Sequence, residues 1–323
     1  MDEIKIREAT KSDSAEIVEL LKIALGESTE KSVDNWLWKH YDNPFGESKI
    51  YLATIGSEIV GVRAFMQWRW LEKSTGKELR AVRAVDTAVS PHHRRKGIFL
   101  TLTNHALEKV TEEGFDFVFN TPNEQSIGGY LKLGWVLNRK IPVGLLINPF
   151  FWLSSKKQLE QFSKEAQSDI EKNDYHFNSP FMKSDIICPF SKTYFDWRYV
   201  KNPLATYKFF KLNEEILIVY RLKTLKGIPE CRIVDIQLLK PGSQDKIGKA
   251  IAKLAKRYAL VSMTQGLVTS KFLIAPVFIA LNIVRKGPNM VTKNLNLSAT
   301  KYEHLLDKNT SYWGYNLGDM ELF

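Results

Sequence analysis

The feature that most constrains the fold is a strand, loop and helix that follow one another between residues 85 and 114. An apolar strand ends at Val89, a short basic loop follows, and from Phe99 apolar residues recur at three- and four-residue spacing until Gly114. A loop at a helix N-terminus offers unpaired backbone N–H groups and the positive end of the helix dipole. Because three adjacent cations and a glycine lie in this loop, the sequence predicts a site for a phosphorylated cofactor.

A second strand and a short helix follow at the distance that one βαβ unit requires. Residues 115–119 are mostly aromatic and apolar, and the pattern Asn-x-x-Ser-x-x-x-Tyr-x-x-x-Gly-Trp comes next, at Asn123, Ser126, Tyr130, Gly134 and Trp135. An isolated tyrosine on a short helix is more often a core residue. The two segments in this order favour a functional interpretation of Tyr130.

Both segments resemble signatures of the GCN5-related N-acetyltransferase (GNAT) superfamily. Arg94 and Gly97 match the first two fixed positions of its pyrophosphate loop, Arg/Gln-x-x-Gly-x-Gly/Ala, and Phe99 stands where the family prefers a small residue. The Asn, Ser and Tyr pattern is similar to the other signature. A predicted first strand at 4–10 and a helix after Ser12 or Asp13 agree, so the resemblance covers about residues 1–150.

The resemblance implies acetyl-CoA, or another acyl-CoA, as co-substrate, and no metal. By analogy with the family, the strand residues before the loop would pair with the pantetheine arm, the loop would hold the pyrophosphate, and Tyr130 would protonate the departing thiolate. Asn123 matches a position that typically holds the pantetheine arm or the product. The implied cofactor-binding residues are Thr87, Ala88, Val89, Arg94, Arg95, Lys96, Gly97, Ile98, Phe99, Asn123 and Ser126.

The general base has several candidates. Asp86 lies close to a position where many family members carry a carboxylate, and a structural role bonded to a neighbouring loop is an equal alternative. His92 and His93 have a suitable intrinsic pKa, but they precede the loop and are expected at the surface or the cofactor's edge. The C-terminal carboxylate of Phe323 and a water chain are the other two options.

Composition limits the partners and the compartment. The 323 residues suffice for two domains, and the formal net charge is +10. The lysines and arginines are scattered without a long stripe, which argues against a nucleic-acid partner. No apolar run opens the chain, no segment suits a membrane span, and the two cysteines lack metal-type spacing, so we expect a cytoplasmic protein.

The second half of the sequence repeats the first faintly. The pattern Trp, cation, three variable residues, Asn, Pro begins at Trp38 and again at Trp197, with a constant offset of 159 residues. A predicted hairpin follows each copy, and the strand 232–238 then echoes 83–89. This order predicts an α+β (mixed α/β) fold of two GNAT-like modules, each a mixed, mostly antiparallel twisted sheet flanked by helices. The predicted divisions are 1–150, a connector at 151–190 with a helix near 156–170, and 191–323.

The second module lacks the signatures of coenzyme binding. Gln244 lies four residues before Gly248 instead of three, and 269–287 contain no Asn-x-x-Ser-x-x-x-Tyr pattern. The leading hypothesis is an acyl-CoA-dependent N-acyltransferase, acting by direct attack of a primary amine of a small molecule or amino sugar. The alternatives are a Fem-type transferase that takes an aminoacyl group from tRNA, and a non-catalytic CoA-binding module.

Overall fold

A computed structural model describes residues 3–26, 31–141, 143–150, 170, 176–180, 184–225, 227–264, 279–283, 287–298 and 313–320. Its residues group into two compact units, each built from discontinuous stretches of chain. The first comprises residues 1–139, 202–204 and 290–310, and the second comprises 140–201, 205–289 and 311–323.

The first unit contains four helices and seven strands in its described residues. The helices are α1 (Ser14–Leu25), α2 (Val33–His40), α3 (Ile98–Glu112) and α4 (Ile127–Lys132). The strands are β1 (Lys5–Glu8), β2 (Lys49–Ile55), β3 (Glu58–Glu72), β4 (Lys77–Val89), β5 (Phe117–Asn120), β6 (Val136–Lys140) and β14 (Asn289–Asn294).

These strands form one sheet in the order β1-β2-β3-β4-β5-β14-β6. Neighbours from β1 to β4 are antiparallel, and β5 runs parallel to β4 after the crossover through α3. Apolar side chains of α3 pack on one face, where Ile98, Leu102 and Ala106 join Phe65 and Val82 in a buried cluster. Ile17 and Leu21 of α1 belong to a second cluster, with Leu52 and Val62.

In its described residues, the second unit contains two α-helices and eight strands, and six of these strands form a sheet of their own. Its elements are β7 (Val143–Ile147), β8 (Ile186–Ile187), α5 (Lys192–Phe195) with a π-helical turn to Val200, β9 (Lys208–Leu212), β10 (Ile216–Leu225), β11 (Ile228–Leu238), α6 (Ile247–Ala255), β12 (Leu260–Thr264), β13 (Ile279–Ile283) and β15 (Trp313–Gly314). The sheet order is β13-β7-β12-β11-β10-β9. Here too three antiparallel strands lead to a parallel neighbour, β12, through a helix, α6.

Each sheet therefore holds a strand from the other half of the sequence. Strand β14 lies between β5 and β6 of the first unit, and β7 lies between β12 and β13 of the second. The predicted fold class, mixed sheets flanked by helices, is confirmed. The predicted boundaries at 150 and 190 stay a prediction, and the predicted helix at 156–170 lies outside the described residues except for Ile170.

Two further observations concern the cysteines and the lengths of the helices. Cys188 and Cys231 are not joined in a disulfide. In the described part of the chain, no helix is both long and apolar enough to cross a bilayer.

Candidate active site

The basic loop has the backbone geometry of an anion cradle. It runs from a 3-10 turn at Pro91–His93 into α3, and two of its residues, Arg95 at φ +64° and Gly97 at φ +77°, adopt the left-handed conformation. Alternating left-handed residues turn successive N–H groups toward one concavity, and the first N–H groups of α3 have no acceptor within the helix. A Cβ at Gly97 would meet no atom within 4 Å, so backbone conformation rather than space favours glycine here.

The three cations of the loop have different surroundings. Arg94 donates from Nη2 to the carbonyl oxygen of Ala24 at the end of α1, over 2.9 Å. Lys96 Nζ lies 3.4 Å from His93 Nδ1, and Lys96 and Arg95 are both exposed. His92 is also exposed, as the sequence predicts. Arg94 therefore ties the loop to α1, while Arg95 and Lys96 remain on its surface.

The pairing of β4 with β5 ends before β4 reaches this loop. Their parallel pairing covers Ala81–Arg83 and Phe117–Phe119, after which β4 continues alone to Val89. On its other side β4 stays paired with β3, where Val89, Ala88 and Thr87 oppose Gly61, Val62 and Arg63. Among the described residues, no strand pairs with the edge of β4 that faces away from β3 beyond Arg83, and an extended ligand can pair with such an edge as an added strand does.

Arg63 brings several of the predicted site residues together. This arginine of β3 is fully buried, and its Nη1 donates to the hydroxyl of Tyr130, over 3.0 Å, and to Thr87 Oγ1. Its Cζ lies 4.8, 5.4 and 5.9 Å from the ring centroids of Phe65, Tyr130 and Phe99. Thr87, Phe99 and Tyr130, which lie on three different elements, are therefore assembled around one guanidinium.

Asn123 and Ser126 organise the start of α4. The side-chain oxygen of Asn123 accepts from the backbone N–H groups of Gln125, over 3.1 Å, and Ser126, over 2.9 Å, and from the hydroxyl of Ser126. These bonds fix the turn that presents Tyr130, which is 5% exposed. Both residues thus have a structural role beside the cofactor contact that the resemblance implies.

Asp86 belongs to a separate cluster of charged residues. It is the bulged residue of β4, at φ +38°, and its carboxylate lies 2.5 Å from Lys31 Nζ, 2.6 Å from Lys39 Nζ and 3.1 Å from His40 Nε2. Burial alone would raise the pKa of Asp86, but Lys39, Lys31 and His40 together hold it well below its usual value. A carboxylate with a lowered pKa accepts a proton weakly, so this geometry favours the structural role of Asp86.

The structure gives less information on the other two candidate bases, His93 and Phe323. His93 is half-buried beside the loop, and Phe323 lies outside the described residues. The carboxylate of Phe323 and a water chain therefore both stay predictions for the path of the amine proton.

The structure adds residues that the sequence did not single out. Arg63 was missed because a single charge within an apolar strand is usually directed to solvent. Its one signal is its place between Val62 and Ala64, on a strand whose residues on both sides are buried. Lys31, Lys39 and His40 lie 46 to 55 positions from Asp86 and share no spacing with it.

The two copies of the Asn-Pro pattern have the same local geometry. Phe45 N–H donates to Asn43 Oδ1 over 3.0 Å, and Leu204 N–H donates to Asn202 Oδ1 over 2.9 Å, so both Asn-Pro copies form the same turn. The long strand pair of each unit also contains a bulge. The bulged residues are Asp86 and Val234. Asp235 therefore corresponds in the structure to Thr87, whereas the sequence pattern aligns Asp235 with Asp86.

A C-terminal segment contacts the bulge of the second unit. The N–H of Gly318 donates to the carbonyl oxygen of Val234 over 2.9 Å, and Asn316 Nδ2 donates to Asp235 Oδ1 over 2.7 Å. Asp235 also accepts from the hydroxyl of Tyr199 over 2.5 Å. Asn316 and Gly318 therefore bind to the part of β11 that lies beyond Arg232, where the pairing of β11 with β12 ends.

Comparisons with known proteins bear on the family and the fold. Residues 5–137 match the family model described as an acetyltransferase (GNAT) domain. No curated protein matches the sequence.

Three solved structures are similar over 91–92% of this chain. A GCN5-related N-acetyltransferase from Anabaena variabilis has a TM-score of 0.62 at 12% identity, with 91% of this chain and 73% of that one covered. One from Kribbella flavida has a TM-score of 0.56 at 12% identity, covering 91% and 71%. Eis1 from Mycobacterium abscessus has a TM-score of 0.54 at 11% identity, covering 92% and 75%. The likeness in fold thus includes both units.

Proposed function

We propose that the protein is an acyl-CoA-dependent N-acyltransferase that transfers an acetyl group from acetyl-CoA to a primary amine of a small molecule or amino sugar. The observation that carries this proposal is the loop with left-handed Arg95 and Gly97, which follows the part of β4 that extends beyond its pairing with β5. The match of residues 5–137 to an acetyltransferase (GNAT) domain supports it. The cytoplasm remains the expected compartment.

The residues present fit an acyl-CoA. The N–H groups at the start of α3 and in the loop suit the pyrophosphate, and the edge of β4 at Thr87 to Val89 suits the amides of the pantetheine arm. This path would bring the thioester toward Tyr130, whose hydroxyl is fixed by Arg63.

The reaction is then a direct transfer. A neutral amine attacks the acyl carbon, the carbon–sulfur bond breaks, and the electron pair moves to sulfur. Tyr130 donates its hydroxyl proton to that sulfur, and the proton lost by the amine returns to the tyrosine through solvent. Because Asp86 is already neutralised by two ammonium groups, we assign the path of the amine proton to water.

We further propose that the second unit is a degenerate copy that binds no coenzyme. Its sheet repeats the connectivity of the first, and the turn at Asn202, which precedes that sheet in the sequence, repeats the turn at Asn43. Gly318 and Asn316 bond to Val234 and Asp235, at the strand edge that corresponds to the predicted pantetheine edge of the first unit. Because residues of the same chain already bind this edge, it is not open to the pantetheine arm of a second coenzyme.

The test is a calorimetric titration with acetyl-CoA. We expect micromolar binding to the wild type and a loss of about 100-fold or more in Gly97→Asp, because the new carboxylate would lie beside the pyrophosphate. Gly76→Asp is the matched control, since Gly76 also has a left-handed φ, +69°, with nothing within 4 Å of its Cβ.

Each other outcome is informative. Equal losses in the two variants would remove the loop from the site. If the wild type binds total tRNA and not acetyl-CoA, the Fem-type function replaces this proposal. If binding is confirmed but a panel of primary amines and amino sugars gives no release of CoA thiol, the non-catalytic alternative is favoured.

A further inference from the structure

The guanidinium of Arg63 is buried without a counter-ion in the described part of the chain. None of its surface is exposed, and its Nε and Nη2 atoms have no hydrogen-bond partner among the described residues. Only Nη1 is bonded, to the hydroxyls of Thr87 and Tyr130. A guanidinium stays charged in proteins, and a buried charge without an opposite charge is destabilising.

Aromatic rings compensate part of this cost. The rings of Phe65, Phe99 and Tyr130 lie within 6 Å of Arg63 Cζ, and the face of an aromatic ring attracts a cation at this distance. The rings satisfy no N–H group, however. The site therefore has an unmatched positive charge and two unused donors beside the hydroxyl of Tyr130.

We propose that Arg63 is the cation that neutralises the negative charge formed on the coenzyme sulfur when the acyl group leaves. This inference rests on the proposed function. When the carbon–sulfur bond breaks, the electron pair goes to sulfur, and the proton of Tyr130 follows it. Negative charge thus passes from sulfur to the phenol oxygen, which already accepts from Arg63 Nη1 over 3.0 Å. Because the site is desolvated before the reaction, the attraction between the guanidinium and the negative charge would be stronger there than in water.

The same geometry explains the large residue at position 99. The ring of Phe99 lies over the Arg63 guanidinium and 6.3 Å from the ring of Tyr130. A small residue at this position would remove one of the three rings that surround the charge. Phe99 thereby supports Arg63 while its backbone N–H remains part of the start of α3.

The test measures proton release on binding, without turnover. Free CoA and acetyl-CoA are titrated into the protein at pH 7.5, each in two buffers of different ionisation enthalpy. A free cysteine thiol has a pKa of about 8.5, and the alkyl thiol of CoA, which is no more acidic, is mostly protonated at this pH. If Arg63 stabilises the thiolate, CoA should release close to one proton more than acetyl-CoA, which has no thiol.

Substitutions of Arg63 test whether the extra proton release depends on this residue. Arg63→Gln should abolish the extra proton release while acetyl-CoA affinity changes less than about 3-fold, and Arg63→Lys should keep part of it. Arg83→Gln is the matched control, because Arg83 is also buried in this sheet, donates to Thr121 Oγ1 over 2.8 Å and lies 5.6 Å from the ring of Phe119. It should keep the full release.

The outcomes separate the two proposals. Equal proton release with CoA and acetyl-CoA in the wild type, or unchanged release in Arg63→Gln, would overturn the role of Arg63 and leave coenzyme binding intact. Absence of binding to both ligands would overturn the proposed function itself. If Arg63→Gln does not fold, full release in Arg63→Lys together with full release in Arg63→Met would equally exclude the role.

Discussion

The ring of Phe99 lies 5.9 Å from Cζ of Arg63 and covers a guanidinium that has no contact with solvent. The two residues come from different elements, the first turn of α3 and the middle of β3. Their contact joins the predicted coenzyme loop to the residue that holds Tyr130. The stability of the loop and the geometry of the tyrosine should therefore respond together to changes at either position.

Phe99→Ala should destabilise the protein by about 1–2 kcal/mol, because one cation–π contact with a buried charge is lost. Acetyl-CoA should still bind, since the backbone N–H of residue 99 is unchanged. Chemical denaturation and calorimetry measure the two effects. Leu100→Ala, at a neighbouring side chain that is 48% exposed, should stay within about 0.5 kcal/mol of the wild type. Equal losses in both variants would count against the Phe99 contact.

Asp86→Asn should cost about 3 kcal/mol at pH 7, because Lys31 and Lys39 would lose a shared counter-ion. The pKa of Asp86 is lowered in the fold, so its contribution is present above the unfolded value of about 3.9 and is lost as pH falls below it. Denaturation at several pH values should show the wild type and the variant converging in acid. Asp42→Asn, at an exposed position after α2, should show no such difference.

Asp319 should make the protein less stable as the pH rises from about 4 to about 6. Burial raises the pKa of Asp319 to about 6, with Tyr194, Arg198 and the backbone of Asn316 opposing the shift. A raised pKa means that the fold holds this proton more tightly than the unfolded chain does, so stability is full below about 4 and is lost through 6.

The effect is on the order of 3 kcal/mol for a shift of about two pKa units. Asp319→Asn should flatten the dependence of the unfolding free energy on pH in this window. Asp245→Asn, at an exposed position, should leave it unchanged. An equally steep dependence in Asp319→Asn would assign the effect to Asp235, whose pKa is also raised by burial and by Asp319.

Gly318→Ala should lower stability by about 1–3 kcal/mol, the usual cost of overpacking a buried site. The added methyl group would overlap the hydroxyl of Tyr199, which bonds to Asp235. Thermal unfolding compares this variant with Gly128→Ala, where nothing lies within 4 Å of the new methyl group. The helical position of Gly128 should make that control neutral or slightly stabilising. Indistinguishable melting temperatures would mean that the segment can shift to admit the methyl group.

Local patterns were sufficient to predict the fold class and the loop. The predicted first strand at 4–10, the apolar spacing in α3 and the break at Gly114 all depend on neighbours along the chain. Gly97 could be recognised as a loop residue for the same reason. Its left-handed φ and the matching one at Arg95 agree with the predicted cradle.

The partners of Asp86 and Tyr130 could not be predicted in this way. Arg63 and Tyr130 are 67 residues apart, and Lys31 and Asp86 are 55 apart. Neither pair follows a helical or strand period. The bulge at Asp86 also changes which side chains of β4 share a face, and a bulge leaves little trace in a single sequence.

The assignment of β7 to the second sheet was equally beyond the sequence. Val143–Ile147 is an apolar segment that could pair with any buried strand, and it directly follows β6 of the first unit. Its partners, β12 and β13, lie more than 100 residues further along the chain. Hydrophobicity predicts that such a segment is buried, but it does not predict in which sheet the segment lies.

Strand β14 is synthesised long after the other strands of the sheet to which it belongs. The gap between β5 and β6 is filled by residues 289–294, about 150 residues after β6 ends. At a ribosome adding about 5–20 residues per second, roughly ten to thirty seconds separate the synthesis of β6 from that of β14. For this time the first sheet exposes an unpaired edge at β5, so the nascent amino-terminal half is the form of the protein most exposed to aggregation and to chaperones.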